Sequence, residues 1–261
     1  MNISLKYKRA LVGGSSSGLG YAVAKQLAVS GARVTFVARD KFKLSKIVKD
    51  LNFETGLKHD YIVVDYNNFN SYQIKIKKYL STNNIDILVN NTQGPKSGDV
   101  SSVSIDDYQK SFDLLFKSVV YTTMLVLENM KKNKWGRVIN MTSVSIKEPL
   151  SYLALSNSIR SAVCSWGKSL SNDLAVYGIT VNNILTGLFE TQRIKELNSL
   201  KANKLNIKID DVLDEMKSLV PLKRLGKPSE LGHLITFLAS DNAAYINGTN
   251  IPIDGGILRS S

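Results

Sequence analysis

The segment that most restricts the fold of this chain is a glycine-rich turn between a short apolar run and a segment of helical period. Residues 10–12 read Ala-Leu-Val and lead directly into Gly-Gly-Ser-Ser-Ser-Gly-Leu-Gly at residues 13–20. The order strand, glycine loop, helix suits a dinucleotide, because backbone N–H groups at a helix N-terminus hold phosphate charge. Gly14 would permit the tight turn, Gly18 would admit a pyrophosphate, and Gly20 would let the helix pack closely. A purely structural turn is the alternative. The predicted contact residues of this loop are Gly14, Ser16, Ser17, Gly18, Leu19 and Gly20.

Short apolar runs alternate with longer segments of helical period along the whole chain. The predicted strands cover residues 10–12, 34–37, 61–64, 85–89, 138–141, 180–185 and 250–253. The predicted helices cover residues 19–30, 41–51, 72–80, 105–132, 154–177 and 230–239. Runs that are apolar on both sides of the pleat indicate strands covered on both faces. The pattern therefore predicts an α/β fold: one Rossmann domain over residues 1–261, with a doubly wound parallel sheet of about seven strands and helices on both faces.

One stretch, residues 192–220, interrupts this alternation. It is lysine-rich and locally amphipathic, and it lies between the sixth and seventh predicted strands. An insertion after the carboxyl end of a strand is where a binding lid would lie. We expect a substrate lid here, with a solvated pair of surface helices as an equal alternative.

Charge and composition narrow the possible partners. Lys and Arg number 34 against 22 Asp and Glu, a net charge of +12 that attracts anions. The lysines are spread without interleaved aromatic residues, so binding to nucleic acid is not expected. With one cysteine, Cys164, and two distant histidines, His59 and His233, we expect no disulfide, no metal site, and a packed thiol. No apolar run is long enough for a membrane span and no signal peptide is recognised, so a cytoplasmic protein is expected.

The loop spacing G-x-x-x-G-x-G resembles that of the short-chain dehydrogenases/reductases, and six further segments follow in the order of that family. They are Asp65, residues 90–94 (Asn-Asn-Thr-Gln-Gly), 136–143, 181–187 with Thr191, and the C-terminal segments 221–228 and 251–256. The resemblance implies that Asp65 contacts adenine. It also implies cofactor contacts for Asn90, and for Gly187 and Thr191 beside the nicotinamide.

The end of the second predicted strand bears on the choice of cofactor. Members that bind NAD carry an acid there, and by resemblance this position is the neutral Ala38. Arg39 follows it, and a guanidinium pairs well with a 2′-phosphate. NADP(H) is therefore the preferred cofactor, and NAD(H) remains possible. Asp40 would either neutralise Arg39 or cap the next helix.

The resemblance also locates a catalytic set, which differs from the family's usual Asn-Ser-Tyr-Lys. Ser143 is retained, Ser156 stands 13 residues later at the tyrosine position, and Arg160 stands at the lysine position, with Leu115 in place of asparagine. A Ser-Asn-x-x-Arg segment of this kind is similar to a divergent branch of the family. Tyr152 is the candidate replacement phenol, either one helical turn before Ser156 or in the preceding loop.

The implied activity is hydride transfer between NADP(H) and a carbonyl or secondary alcohol substrate, as in 3-oxoacyl-carrier-protein reductases or sugar and alcohol dehydrogenases. The alternative is a nucleotide-binding protein with little catalysis, which acts as a sensor or an oligomeric partner. Helices 105–132 and 154–177 resemble those at the family's subunit interfaces. They imply a homo-oligomer, either a homotetramer or a dimer.

Overall fold

The computed structural model describes residues 3–259, except the side chains at positions 193 and 204. Its strands are β1 (Arg9–Gly13), β2 (Arg33–Ala38), β3 (Asp60–Val63), β4 (Ile87–Asn90), β5 (Gly136–Ser143), β6 (Ile179–Thr186) and β7 (Asn250–Ile253). Its α-helices are α1 (Gly18–Val29), α2 (Lys41–Thr55), α3 (Phe69–Leu80), α4 (Ile105–Phe112), α5 (Ser118–Lys132), α6 (Ala154–Leu174), α7 (Gln192–Leu205), α8 (Ile209–Ser218) and α9 (Pro228–Leu238).

The strands form one parallel sheet in the order β3-β2-β1-β4-β5-β6-β7, which confirms the predicted fold class. Alternate strand residues enter two separate apolar clusters, as the pleat requires. In β1, Ala10 and Val12 join the cluster that contains residues of α1, α2 and α9, while Leu11 joins that of α3, α5 and α6. Helices therefore cover both faces of the sheet, and the carboxyl ends of all seven strands meet at one edge.

The predicted helix 105–132 has an irregularity that its apolar period did not show. α4 and α5 are joined by a π-helical turn, Asp113–Lys117, in which the N–H of Ser118 donates to the carbonyl of Asp113. Leu115, buried against the core, lies in this turn. A π turn adds one residue without breaking the helix, so periodicity alone does not detect it.

Residues 192–220 contain the two helices α7 and α8, and α7 ends at Asn206, which has a left-handed backbone with φ of +53°. α7 begins after Thr191, whose hydroxyl accepts a hydrogen bond from the N–H of Ile194 at 3.3 Å. The pair follows the carboxyl end of β6, so it lies at the same edge as the glycine loop. Among the described residues, no helix is both long and apolar enough to cross a membrane.

Candidate active site at the carboxyl edge of the sheet

The glycine loop leaves the start of α1 open to one side. Gly14 and Gly18 both have left-handed backbones, with φ of +56° and +57°. A Cβ atom on Gly20 would lie 2.3 Å from the carbonyl oxygen of Gly14, so the helix can pack on the turn only without a side chain there. A Cβ on Gly18 would meet only Thr191, at 3.8 Å. Because Ser17 makes no side-chain capping bond, the first amide groups of α1 remain available to an anion.

The loop forms one wall of a cleft of about 520 Å³. Its other walls come from the residues that follow β2 and β4, from the end of β5, from α6, and from the start of α7. The predicted site residues that line it are Gly14, Ser16, Ser17, Gly18, Leu19, Gly20, Arg39, Arg160 and Thr191. The remaining predicted residues, Asp65, Asn90, Ser143, Tyr152, Ser156 and Gly187, are not part of this lining.

Asn90 is not among the residues that line the cleft, and its buried side chain has other partners. Its amide donates to Asn140 at 2.9 Å and to Thr123 at 3.0 Å. The same pattern continues from Asn140 to Asn183 at 2.9 Å and from Asn183 to Asn250 at 2.8 Å. This asparagine row crosses β4, β5, β6 and β7 in register. The position predicted as a cofactor contact is thus the first member of a buried row that ties four strands together.

Asp65 and Gly187 also have local roles in the structure. The carboxylate of Asp65 is exposed and accepts hydrogen bonds from the backbone and side-chain nitrogens of Asn67, at 3.0 and 3.1 Å. Its neighbour Tyr66 lines the cleft instead. At Gly187 a Cβ would lie 2.6 Å from the Cα of Asp254, so glycine is needed there for close packing of the chain.

The end of β2 provides positive charge to the cleft. Asp40 caps α2, because its carboxylate accepts from the N–H of Lys43 at 3.0 Å. The Lys43 ammonium lies 3.8 Å from the same carboxylate. Within residues 3–259, Arg39 forms no ion pair, and its exposed guanidinium lines the cleft beside Lys43. Of the two roles considered for Asp40, the structure therefore supports the helix cap.

Ser156 and Arg160 are linked to each other on the face of α6 that turns toward β5. The guanidinium Nε of Arg160 donates to the Ser156 hydroxyl at 3.2 Å, and its Nη1 donates to the carbonyl of Met141 at 2.7 Å. The Ser156 oxygen acts as an acceptor in this contact, so its own proton remains available as a donor. Ser143 ends β5, and its hydroxyl accepts from the N–H of Ser145 at 3.2 Å. Arg160 is thus the member of the predicted catalytic set that reaches the cleft wall.

Tyr152 lies in the turn that enters α6 and not one helical turn back within the helix. Its side chain is 57% exposed, and its carbonyl accepts from the N–H of Gly98 at 2.9 Å. The amide of Asn157 holds the same turn by donating to the carbonyl of Leu150 at 2.8 Å. The loop alternative for Tyr152 is therefore the correct one.

Sequence reasoning missed three contributors to this region. Ser15 joins the loop to two strands, because its hydroxyl donates to Val12 and accepts from the N–H of Val37. Lys43 and Tyr66 line the cleft. The only available signals were a small polar residue inside the loop, a cation three positions after a helix cap, and an aromatic residue after Asp65.

The cysteine and one histidine pack inside the fold. Burial raises the pKa of the Cys164 thiol to about 11, as expected for a packed group. His59 is buried: its Nδ1 accepts from the N–H of Val34 and its Nε2 contacts the hydroxyl of Thr55. Burial lowers its pKa. In the described part of the chain, no group of three or more His, Cys, Asp or Glu is arranged to hold a metal ion.

Comparison with known proteins places this geometry in a family. Residues 14–258 match the family model described as enoyl-(acyl carrier protein) reductase. Oxidoreductase UcpA of Salmonella typhimurium (strain LT2) is 33% identical over 254 residues, which are 95% of this chain and 94% of that protein. Dehydrogenase/reductase SDR family member 4 of Oryctolagus cuniculus is 30% identical over 254 residues, which are 97% of this chain and 94% of that protein.

Solved structures agree with these relatives. The L-sorbose reductase of Gluconobacter frateurii, crystallised with NADPH and L-sorbose, superposes over 100% of both chains with a TM-score of 0.94 at 26% sequence identity. The family model matches most of the chain, and the relatives align with it over nearly their whole length. The chain therefore belongs to the short-chain dehydrogenase/reductase family.

Proposed function

We propose that the protein is an NADP(H)-dependent oxidoreductase that acts on a small carbonyl compound or the corresponding secondary alcohol. One observation carries the proposal: a single cleft joins the open N-terminus of α1, the cations Arg39 and Lys43, and the guanidinium of Arg160. The cleft has the phosphate cradle and the cations that a phosphorylated dinucleotide requires. The NADPH in the similar sorbose reductase crystal supports the same cofactor.

The residues present fit such a cofactor. The amide groups at the start of α1 and the hydroxyls of Ser16 and Ser17 would hold the diphosphate, and Arg39 with Lys43 would hold a 2′-phosphate. Gly18 has a left-handed backbone with φ of +57°, a conformation that residues with a side chain rarely adopt. Bound NADP(H) would supply the hydride. NAD(H) lacks the 2′-phosphate and would bind more weakly.

The Ser156–Arg160 pair would stabilise charge on the substrate oxygen without transferring a proton. The guanidinium donates to Ser156, which leaves the serine proton to donate to an oxygen that becomes negative. A guanidinium stays protonated and a serine hydroxyl is a weak acid, so neither group releases a proton at neutral pH. Ser143 would orient the same oxygen. Loss of a positioned general acid costs roughly 10² to 10⁴ in rate, so we expect slow turnover in which water supplies the proton.

A second function is favoured by one observation. We consider the described cleft-lining residues whose positions in the sequence run from Gly94 to Thr191. None of them carries a carboxylic acid, an imidazole or a phenol. A protein that binds the nucleotide but does not convert a substrate would have this arrangement. It would act as a sensor or an oligomeric partner.

Titration and turnover separate the two functions. Binding of NADPH, followed by its fluorescence, supports both; absence of binding contradicts both. NADPH oxidation is then measured against a panel of ketoses, simple ketones and 3-oxoacyl thioesters. Turnover that Ser156→Ala and Arg160→Met each reduce at least about tenfold supports the enzyme. Tyr245→Phe is the matched control, because this fully exposed side chain is not among the residues that line the cleft. Rates equal to the background reaction across the panel support the binding protein.

We propose further that α7 and α8 form the substrate lid and that the protein is a cytoplasmic homo-oligomer. Phe112 stacks on Phe116, and Phe116 makes an edge contact with Trp166, so these three rings link α4 to α6. Phe112 is 38% exposed, which leaves part of this aromatic surface open. A tetramer would cover this aromatic surface. Light scattering coupled to gel filtration measures the assembly, and Phe112→Ser is expected to weaken it.

A further inference from the structure

Two arginines lie side by side at the amino edge of the sheet, opposite the proposed cofactor cleft. Arg9 begins β1 and Arg33 begins β2, and the two residues are direct partners in the parallel register. Both are exposed. Partners in register project toward the same side, and like charges in direct opposition destabilise a sheet. The pairing thus has an electrostatic cost that an anion would remove.

A third cation extends this row. The register between β2 and β3 begins at Thr35 and Asp60; continued two residues beyond the ladder, it would bring Lys58 beside Arg33. Neighbouring strands are about 4.8 Å apart, so a row in this register would span about 10 Å. Arg9, Arg33 and Lys58 line one cleft of about 320 Å³.

Asp60 is itself part of the lining of this cleft, and its carboxylate and that of Asp86 are held by other donors. Asp60 accepts from the Tyr79 hydroxyl at 3.1 Å and from the N–H of Tyr61 at 2.7 Å. Asp86 accepts from the backbone N–H of Arg9 at 2.9 Å. Across residues 3–259, none of the three cations of the row forms an ion pair with a carboxylate.

The floor of the cleft is polar and ordered. Thr35 is buried, and its hydroxyl lies 2.9 Å from that of Tyr79. The amide of Asn83 donates to the Tyr79 carbonyl at 2.9 Å, which fixes the segment carrying Asn84 at the rim. The cleft therefore combines a rigid floor with three cations that have no carboxylate partner.

We propose that this amino-edge cleft binds a small anion that carries at least two phosphate groups. A row of three cations about 10 Å long matches a di- or triphosphate better than a single phosphate, which would engage only one neighbouring pair. The site is independent of the proposed function, because it lies at the opposite edge of the sheet. It also accounts for part of the +12 charge that the cofactor cleft leaves unused.

Calorimetry with inorganic pyrophosphate at fixed ionic strength tests the proposal. The test variant is the double substitution Arg9→Gln with Arg33→Gln. Its matched control is Lys46→Gln with Lys49→Gln on exposed positions of α2, which removes the same charge. Ser16→Ala with Ser17→Ala separately reports pyrophosphate bound at the glycine loop. We expect two sites in the wild type, one of which the test variant weakens at least about tenfold and the control does not.

Three results would overturn this inference. The first is unchanged stoichiometry and affinity in the test variant, and the second is an equal loss in the control. The third is orthophosphate binding as tightly as pyrophosphate.

Thermal unfolding at low salt without phosphate gives a second readout. Arg33→Gln alone is expected to raise Tm relative to Lys49→Gln, because it relieves the repulsion from Arg9, and added pyrophosphate is expected to raise the Tm of the wild type more than that of Arg33→Gln. A lower Tm for Arg33→Gln would contradict the proposed like-charge pair.

Discussion

The choice between NADPH and NADH is predicted to depend on Arg39. This side chain lines the cofactor cleft, is exposed, and has no ion pair within the described residues, so its charge is available to a 2′-phosphate. A hydrogen bond to a charged group contributes about 1.5 to 3 kcal/mol, and exposure favours the lower value. Arg39→Gln is therefore expected to weaken NADPH binding by about 1.5 kcal/mol, or about tenfold in Kd.

Lys43 should contribute less, because its ammonium is 3.8 Å from the Asp40 carboxylate and already partly neutralised. Lys43→Gln is expected to weaken NADPH by about threefold, which corresponds to about half the free energy assigned to Arg39. Fluorescence titration of each variant with NADPH and with NADH measures the two affinities. Lys49→Gln on the same helix controls for a general change of charge.

The ratio of the two affinities decides the question, since a loss of overall fold or of the shared diphosphate site weakens both cofactors. A variant Arg39→Gln that loses NADPH and NADH equally would refute the assignment of this residue to the 2′-phosphate. An unchanged Kd for NADPH would refute it as well.

Three predictions concern the framework that holds the site. Arg137 is 2% exposed and donates to the carbonyls of Gly136, Gly178 and Ser240. The substitution Arg137→Met is therefore expected to lower the free energy of unfolding by about 3 kcal/mol, measured by urea denaturation. Asn140→Leu should cost about 2 kcal/mol by the same assay, because both neighbours in the asparagine row lose a partner; a loss no larger than that of the surface variant Lys49→Leu would argue against the row. Since burial lowers the pKa of His59 below 6.5, unfolding free energy should be constant above that pH and decrease as the pH falls toward the folded-state pKa; His59→Asn should abolish that part of the pH dependence.

The sequence predicts the order of elements well because hydrophobic period depends on local spacing. The apolar runs in β1 and β2 and the glycine loop between β1 and α1 lie where the pattern indicates. What the spacing could not predict depends on hydrogen bonds between distant segments. Asn90 ends β4, and its amide donates to Thr123 and Asn140, which are distant in the sequence and gave no signal there. The amino-edge cations were equally hidden, since Arg9 and Arg33 become neighbours only through sheet register.

The catalytic set has serine and arginine where the family usually has tyrosine and lysine. This difference leads to a final prediction, which rests on the proposed reductase activity. Arg160 keeps a cation one helical turn from Ser156 and in contact with its hydroxyl, so electrostatic stabilisation is retained while proton release is lost. Neither a serine hydroxyl nor a guanidinium changes protonation between about pH 6 and pH 9. The kcat for carbonyl reduction should therefore be independent of pH over that interval.

A kcat that follows a single ionisation within this range would contradict the prediction, because it would require a titrating acid at the substrate. Tyr152 is the side chain to examine in that case: it is 57% exposed, on a turn held by Asn157 and Gly98. Comparison of the wild type with Tyr152→Phe then shows whether this phenol contributes to kcat. A flat profile in both proteins would instead leave the Ser156–Arg160 pair as the source of rate enhancement, with water as the proton donor.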